Sequence, residues 1–180
     1  LGTNDFTDLI ESIDRHKTEL VLSTFVGADE VAFEQQMHSA GLGERVQTVS
    51  FVLDESTHEY IGPQASSGLW TVFSYFETLQ SEANSRFLSN YHHRFGADAP
   101  PVSSLTECVY EAVHLVARAA MAAGDLEPSA VRRALGDGVS FHGPRGKVEA
   151  SAQGLRQPMF LARSVNGRLE ALDQKDAACG

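Results

Sequence analysis

The sequence is poor in cysteine, in basic residues and in long apolar runs. Its two cysteines, Cys108 and Cys179, are far apart and neither has a CxxC partner, so neither a zinc site nor a dithiol redox motif is indicated. The 14 Lys and Arg residues are outnumbered by 24 Asp and Glu residues, which gives a formal net charge of -10. This balance argues against nucleic acid or an anionic membrane surface as a partner, because both require clustered basic residues. No run of 18 apolar residues occurs, so no membrane span is predicted.

Common signatures of catalysis and of phosphate binding are also missing. There is no GxSxG motif, and the Gly-rich residues 136–147 lack both the GxxxxGK[ST] order and the strand–loop–helix context of a phosphate loop. We interpret them as a turn-rich connector. His92 and His93 are adjacent on the polar side of a predicted helix and have no ligand at i+4, which favours a solvated surface over a metal site. The sequence predicts no cofactor and no metal ion.

Predicted helices and strands alternate along the chain, with short loops between them. The helices are predicted at residues 5–16 (with Asp5 as N-cap), 28–40, 80–95, 104–123 and 127–138, and Asp54 and Glu55 are positioned to open a short helix. The strands are predicted at residues 19–25, 45–53, 69–76, 147–149 and 158–164, with a hairpin-like turn at 165–168. This alternation indicates an α/β layered fold with a largely parallel sheet. Ligands of such folds bind at the carboxyl ends of strands.

The predicted helix at residues 104–123 has an unusual distribution of polar groups. Glu107, Glu111, His114 and Arg118 are spaced by four, three and four residues and so share one narrow stripe, while nearly all other positions are apolar. We interpret His114 as structural. A helix that is apolar over most of its circumference must be covered on several sides. It is therefore either central to this fold or packed on a part of the protein outside this chain.

Two residues near predicted strand ends have both a structural and a functional interpretation. Glu55 is either an acidic residue that favours a helix N-terminus or a group that orients a ligand-binding residue. Tyr75 either packs in the core or walls a pocket, where its hydroxyl group could donate a hydrogen bond.

Five segments, in this order, resemble segments of one protein family. They are residues 20–37 (similar to V-V-F-S-T-x-x-G), 49–76 (S-x-x-x-x-E and then an A-x-x-Y-F strand), 81–96 (a helix ending in F-G), 105–124 (a helix ending in A-x-x-A-G) and 130–149 (F-x-A-P-x-G-x-V, with Gly143 in place of the alanine). The order resembles the C-terminal half of the type I periplasmic binding proteins, in the branch that handles amides, urea and branched-chain amino acids. One further departure is "SAQGLRQP" at residues 151–158, where the family often has Asn-His.

The resemblance implies one lobe of a two-lobed receptor that closes on a small ligand by a hinge motion. The implied fold class is α/β, a three-layer sandwich lobe with a mostly parallel sheet. The implied organisation is a second-lobe core at residues 1–97, crossover helices at 98–138 that pack on the first lobe, strands at 139–172 that return to the second lobe, and a tail at 173–180. The first lobe is then mostly outside this chain.

The resemblance also implies a set of ligand contacts, at matching positions only. Val26 and Val52 match positions that touch the amide ligand, and Tyr75 matches the tyrosine of the Y-F strand. The full set of matching cleft residues is Ser23, Thr24, Val26, Gly27, Val52 and Tyr75.

The functional hypothesis is a non-catalytic receptor for a small amide, urea or a branched-chain amino acid. It is either the solute receptor of an ABC permease, periplasmic or lipid-anchored outside the cell, or a cytoplasmic amide-sensing regulator. A homodimer through residues 104–135 is also expected, because an exposed apolar helix favours association. Two alternatives stay open: a hydrolase that uses Ser23 or Thr24 with a distant histidine, and a regulatory interaction domain without a ligand.

Overall fold

The computed structural model describes Gly2 and residues 4–172. The six helices in that part of the chain are α1 (Thr7–Arg15), α2 (Ala28–Ser39), α3 (Glu55–Ile61), α4 (Glu82–Phe95), α5 (Ser104–Ala123) and α6 (Pro128–Gly138). The eight strands are β1 (Leu20–Ser23), β2 (Gln47–Ser50), β3 (Trp70–Phe73), β4 (Val139–Gly143), β5 (Gly146–Ser151), β6 (Gly154–Arg156), β7 (Phe160–Val165) and β8 (Arg168–Ala171). They form two compact units. Unit 1 combines the chain up to Thr78 with the part from Phe160 onward, and unit 2 runs from Leu79 to Met159.

Unit 1 is built on a five-stranded sheet in the order β1-β2-β3-β7-β8. The pairs β1–β2 and β2–β3 are parallel, whereas β3–β7 and β7–β8 are antiparallel. Strand β8 therefore runs in the same direction as β1, β2 and β3, and β7 is the reversed strand. This arrangement confirms the predicted α/β fold with a mostly parallel sheet.

The core of unit 1 lies between its helices and the sheet. Aromatic rings from three successive elements, Phe6, Phe25 and Phe33, contact one another at centroid distances of 4.9–5.6 Å. The apolar side of α1 supplies Ile10 and Ile13 to the same cluster. A second cluster joins α3 to the segment before β3 through Leu53, Ile61 and Leu69. Burial of these large side chains stabilises the sheet-facing sides of α1, α2 and α3.

Unit 2 consists of α4, α5, α6 and the antiparallel sheet β4-β5-β6. Helix α5 has the predicted bounds; Ser103 accepts a hydrogen bond from Thr106 N at its start, and Gly124 ends it in the left-handed conformation. None of the helices in the described residues combines the length and the apolar content that a bilayer crossing requires.

Two predictions of local structure were wrong, and one strand was not predicted. The N-cap of α1 is Phe6, and Asp5 instead accepts hydrogen bonds from the backbone N–H and the hydroxyl of Thr7. The segment interpreted as a Gly-rich connector contains β4, and the stretch 154–156 forms β6.

The hairpin turn before β8 is confirmed, since Asn166 and Gly167 both have positive φ values. The tail at residues 173–180 and Cys179 lie outside the described residues.

Candidate functional site

The carboxyl ends of β1 and β2 lie side by side and form the candidate site. The parallel register pairs Ser23 with Ser50, and Phe51 N donates to Ser23 O at 3.0 Å. The segments that follow these strands, residues 24–27 and 51–54, therefore leave the sheet next to each other. They lead into the N-termini of α2 and α3, as the position of a ligand site in an α/β fold requires. We call the exposed part of these two segments the strand-end surface.

Three of the predicted contact residues lie on the β1 side of the strand-end surface. Thr24 is exposed, and 60% of Val26 is accessible to solvent. Gly27 is the N-cap residue of α2 and has a φ of 61° and a ψ of −121°, a conformation that L-residues rarely adopt. The glycine thus allows the chain to turn sharply from the exposed valine into the helix.

The β2 side of the surface presents Phe51 and Val52. Val52 is half-buried, and its contact with a ligand stays a prediction, while 43% of Phe51 is exposed. Phe51 is not in the predicted set, although it directly follows the last residue of a parallel strand, as Thr24 does. With Val26, these side chains give the surface an apolar character.

Ser23 lies beneath the surface and is bound to a buried carboxylate. Its hydroxyl donates to Glu30 Oε2 at 2.5 Å, and both residues are buried. Burial raises the pKa of Glu30, while hydrogen bonds from Ser23 and Ser50 counteract part of that rise. The position of Glu30 in the first turn of α2 is typical of an exposed acidic residue, so its burial was not predictable from the sequence.

Tyr75 and Glu55 do not belong to the strand-end surface. Tyr75 is fully buried, so its ring has no exposed area in this structure, and its part in a ligand site stays a prediction. Glu55 Oε1 accepts a hydrogen bond from Glu77 N at 2.8 Å, which ties the start of α3 to the segment after β3. Burial raises the pKa of Glu55 to about 8, so this residue is not a solvated helix-start acid.

An apolar hollow of about 450 Å³ lies between α2 and α3, next to the strand-end surface. Its lining includes Gly27, Val31, Thr57 and Tyr60. Gln35 joins the two helices there by donating to the Tyr60 carbonyl at 3.0 Å. The hollow is large enough for an apolar group of a small ligand.

The carboxyl groups around the strand-end surface are engaged in local structure. Asp29 accepts from Gly2 N at 3.0 Å, and Asp54 caps α3 by accepting from Thr57 N at 3.2 Å. Within the described residues, no group of three His, Cys, Asp or Glu side chains is arranged to hold a metal ion. The surface therefore offers apolar contact, the Thr24 hydroxyl and nearby backbone groups, in a negatively charged setting.

The described residues of unit 1 include a buried histidine–serine pair. His58 Nε2 lies 2.7 Å from Ser164 Oγ, which donates to Ser66 Oγ at 3.2 Å, and all three residues are buried in unit 1. Burial lowers the pKa of His58. Since the pair has no access to solvent and the Ser164 hydrogen points to another serine, this arrangement is structural.

In unit 2, the acidic stripe of α5 is buried against the β4–β5 turn. Arg145 Nη2 lies 2.7 Å from Glu107 Oε2, and Arg145 Nε lies 2.7 Å from Glu111 Oε2. Burial, and in second place the neighbouring Glu111 carboxyl group, raise the pKa of Glu107 to about 9, although the charge of Arg145 lowers it. One buried guanidinium is therefore the cation for two buried carboxyl groups.

The remainder of the stripe packs on Phe141 of β4. The His114 ring is parallel to the Phe141 ring at a centroid distance of 4.6 Å, and the Arg118 guanidinium lies 5.4 Å from the same ring centre. These contacts agree with the structural interpretation of His114.

The apolar side of α5 is exposed. Solvent reaches 72% of Leu105, 60% of Val109, 64% of Val113 and 82% of Met121. A helix central to the fold would have these side chains covered, so that alternative is wrong for the described residues. We call the exposed side chains of Leu105, Val109, Val113, Val116 and Met121 the α5 apolar face.

Comparisons with known proteins agree on one fold. A solute binding protein of an ABC transporter from R. palustris, solved with benzoate, has a TM-score of 0.81 at 21% identity, over 96% of this chain and 47% of that chain. A leucine binding protein from Thermotoga maritima has a TM-score of 0.82 at 16% identity, over 97% and 50%. A Brucella ovis protein that binds leucine, isoleucine, valine, threonine and alanine, in a closed conformation, has a TM-score of 0.81 at 14% identity, over 95% and 46%.

These identities are low enough that the likeness shows the fold alone, and the chain spans about half the length of the solved structures it matches. No curated protein matches the sequence at a significant level. The model of the family described as periplasmic binding protein matches residues 1–168. This chain therefore belongs to the periplasmic binding protein family, with the α/β fold of a type I lobe.

Proposed function

We propose that this chain is a ligand-binding lobe of a solute receptor and that the strand-end surface forms one wall of its cleft. The observation that carries the proposal is the exposed apolar pair Val26 and Phe51 at the carboxyl ends of two adjacent parallel strands. Exposed apolar groups at that position favour a ligand, which would cover them on binding. Of the solved proteins named above, one is a solute binding protein of an ABC transporter and two are amino-acid binding proteins, and this supports the role of a ligand receptor.

The surface favours a ligand with an apolar body and a neutral or zwitterionic head. The apolar body would contact Val26, Phe51 and Val52, and the adjacent hollow has room for a branched group. The carboxyl groups of Asp29 and Asp54 lie near the N-termini of α2 and α3 and disfavour a ligand with a net negative charge there. An aliphatic amide or a branched-chain amino acid fits this description better than urea, which has no apolar part.

A one-sided wall does not bury a small ligand. We therefore assign the opposite wall to a further lobe, and residues 98–138 to the helices that pack on it. The α5 apolar face supports this assignment, since it is the largest exposed apolar side of a helix in unit 2. A receptor of this kind would deliver its ligand to an ABC permease at the outer face of the membrane. An amide-sensing regulator in the cytoplasm is the second candidate.

The ligand class is tested by calorimetry on the full-length protein with leucine, butyramide, urea and benzoate. We expect butyramide or leucine to bind at least tenfold more tightly than urea, because burial of a butyl-sized apolar group contributes a few kcal/mol. Binding of benzoate alone would contradict the proposed head group. Absence of binding by all four compounds would contradict the amide and amino-acid assignment.

The position of the wall is tested by substitution. Val26→Asp and Phe51→Ala are expected to weaken binding about tenfold or more, whereas Leu20→Ala, an exposed apolar residue at the start of β1, serves as the matched control. Equal effects of Val26→Asp and Leu20→Ala would contradict the assignment of the strand-end surface. A hydrolase remains the alternative only if Ser23→Ala abolishes turnover of an ester or amide.

A further inference from the structure

Unit 1 has a second pocket, at the amino ends of its parallel strands. It is lined by Gln47 and Thr48 at the start of β2, by Gly68 and Leu69 before β3, and by Glu34 of α2. Its volume is about 410 Å³, within the range of small-molecule sites. The strand-end surface lies at the opposite ends of the same strands, so this pocket is separate from the proposed cleft wall. We call it the amino-end pocket.

Glu34 supplies a buried carboxyl group to the amino-end pocket. Its exposed fraction is 2%, and its Oε1 atom accepts no hydrogen bond from any described residue. No ion pair of Glu34 with a Lys, Arg or His side chain is formed in the described part of the chain. A buried carboxyl oxygen without a donor is unfavourable, because it has lost the hydrogen bonds that water provides in the unfolded chain.

The groups around Glu34 make a cation next to its carboxyl group favourable. Glu30 lies one turn earlier on α2 and is also buried. Burial, and in second place the charge of Glu30, raise the pKa of Glu34 to about 8. The basic residues at the pocket are engaged elsewhere: Arg45 Nη2 lies 2.7 Å from an aspartate of α1, and the Arg163 guanidinium lies over the Trp70 ring at 5.5 Å from its centre.

We propose that the amino-end pocket binds a small organic amine, whose ammonium group donates a hydrogen bond to Glu34. An ammonium group has three donors and no acceptor, so it matches a carboxylate that lacks a donor. It also supplies the positive charge that the two buried glutamates lack. A metal ion fits less well, since the described residues contain no cluster of three suitable ligands. Glu34 must be ionised to accept the ammonium group, so binding displaces its proton.

The direct test is calorimetric titration of the full chain with butylamine and putrescine at constant ionic strength. 1-Butanol and butyrate are the matched probes, because they keep the apolar part and remove or reverse the charge. We expect the amines to bind and the other two not to bind. We also expect the amine affinity to rise as the pH increases from 6 to 8, with release of up to one proton, measured in two buffers of different ionisation enthalpy.

Other titratable and charged groups face the same pocket, so the pH dependence needs a control. They are His38, Glu44, Arg45 and Arg163, with Glu30 behind Glu34. The variant His38→Gln removes the exposed imidazole at the pocket. The rise in affinity with pH is expected to persist in His38→Gln, and its loss would overturn the assignment to Glu34.

Two substitutions locate the binding site. Glu34→Gln is expected to weaken amine binding at least tenfold, whereas Glu59→Gln, at an exposed glutamate of α3 outside the pocket, leaves it unchanged. Ser67→Trp, at an exposed position of the lining, fills the pocket without touching the core and is expected to have the same effect as Glu34→Gln. Undiminished binding in Ser67→Trp, equal binding of 1-butanol, or no binding of either amine at millimolar concentration would each overturn the proposal.

Discussion

The guanidinium of Arg145 is held 2.7 Å from Glu111 by its Nε atom, and both residues are buried in unit 2. Because Glu107 lies at the same distance from Nη2 of that guanidinium, Arg145 is the cation that makes two buried carboxyl groups tolerable. We expect Arg145→Met to destabilise unit 2 by about 3–5 kcal/mol, the usual cost of leaving buried acids without their partner. The midpoint of urea denaturation measures this, and Arg132→Met, at an exposed position of α6, is the control.

Gly143 provides the space for the Glu111 carboxylate. A Cβ atom on Gly143 would overlap Glu111 Oε1 and lie 2.9 Å from Phe141 Cε1. We therefore expect Gly143→Ala to destabilise the chain by about 1–3 kcal/mol. Gly136→Ala is the matched control, because a Cβ there meets no atom within 4 Å. The two variants are compared by thermal unfolding, and equal melting temperatures would contradict the predicted overlap.

Two glutamates with buried carboxyl oxygens make the stability of unit 1 depend on pH. Burial raises the pKa of Glu34 and of Glu55 to about 8, from an ordinary value of 4.5. Groups with a raised pKa in the folded state contribute their full stability below about pH 4.5 and lose it as the pH rises through about 8. The free energy of unfolding is therefore expected to fall between pH 5 and pH 8, by up to about 1.4 kcal/mol per pH unit for each group.

Glu34→Gln isolates one of these two contributions. The glutamine is neutral at every pH, so the variant is expected to be about 2 kcal/mol more stable than the parent chain at pH 8, with a smaller difference at pH 5. Glu59→Gln, at an exposed glutamate, is expected to show no such trend. Urea denaturation at the two pH values measures both, and a difference that does not change with pH would contradict the assignment.

Ser23 is expected to act through Glu30. Ser23→Ala removes the donor from a buried carboxylate, which costs about 1–3 kcal/mol and raises the pKa of Glu30 further. The matched control is Ser89→Ala, at an exposed position of α4. Thermal unfolding at pH 7 measures the difference. A loss of stability no greater than that of Ser89→Ala would show that the buried bond is not important for folding.

The α5 apolar face predicts self-association of this chain when nothing else covers it. Val109→Lys combined with Val113→Lys is expected to lower the average mass in light scattering at high protein concentration. Leu22→Lys, at an exposed position of β1 in unit 1, is the control. A chain that is monomeric at high concentration before any substitution would contradict this prediction.

Much of the fold is predictable because its signals are local. Helix α5 begins at a serine cap and ends at Gly124, and Asp54 caps α3 as its position after a strand indicates. The Asn-Gly turn before β8 is likewise marked by two residues that tolerate positive φ. Such signals depend on residues that are close together in the chain, so they can be recognised in the sequence.

The partners of the buried acids were not predictable in the same way. Glu111 and Arg145 are separated by 34 positions, and the sequence around each does not distinguish it from an ordinary surface charge. The four-residue spacing of Glu107 and Glu111 places them on one face of α5 but does not show which side of the helix is buried. Strand β4 was missed for a related reason, since Gly-rich residues indicate a loop unless a partner strand supplies the pairing.

The pairing of α5 with Arg145 has a consequence for how this protein assembles. Rotation of the helix about its axis would cover its valines but would withdraw Glu107 and Glu111 from their only buried cation in unit 2 among the described residues. The ion cluster therefore fixes the rotational setting of α5 before any partner arrives. Unit 2 cannot cover the α5 apolar face by repacking. The face therefore stays exposed as a preformed docking surface, and its geometry does not depend on what binds to it.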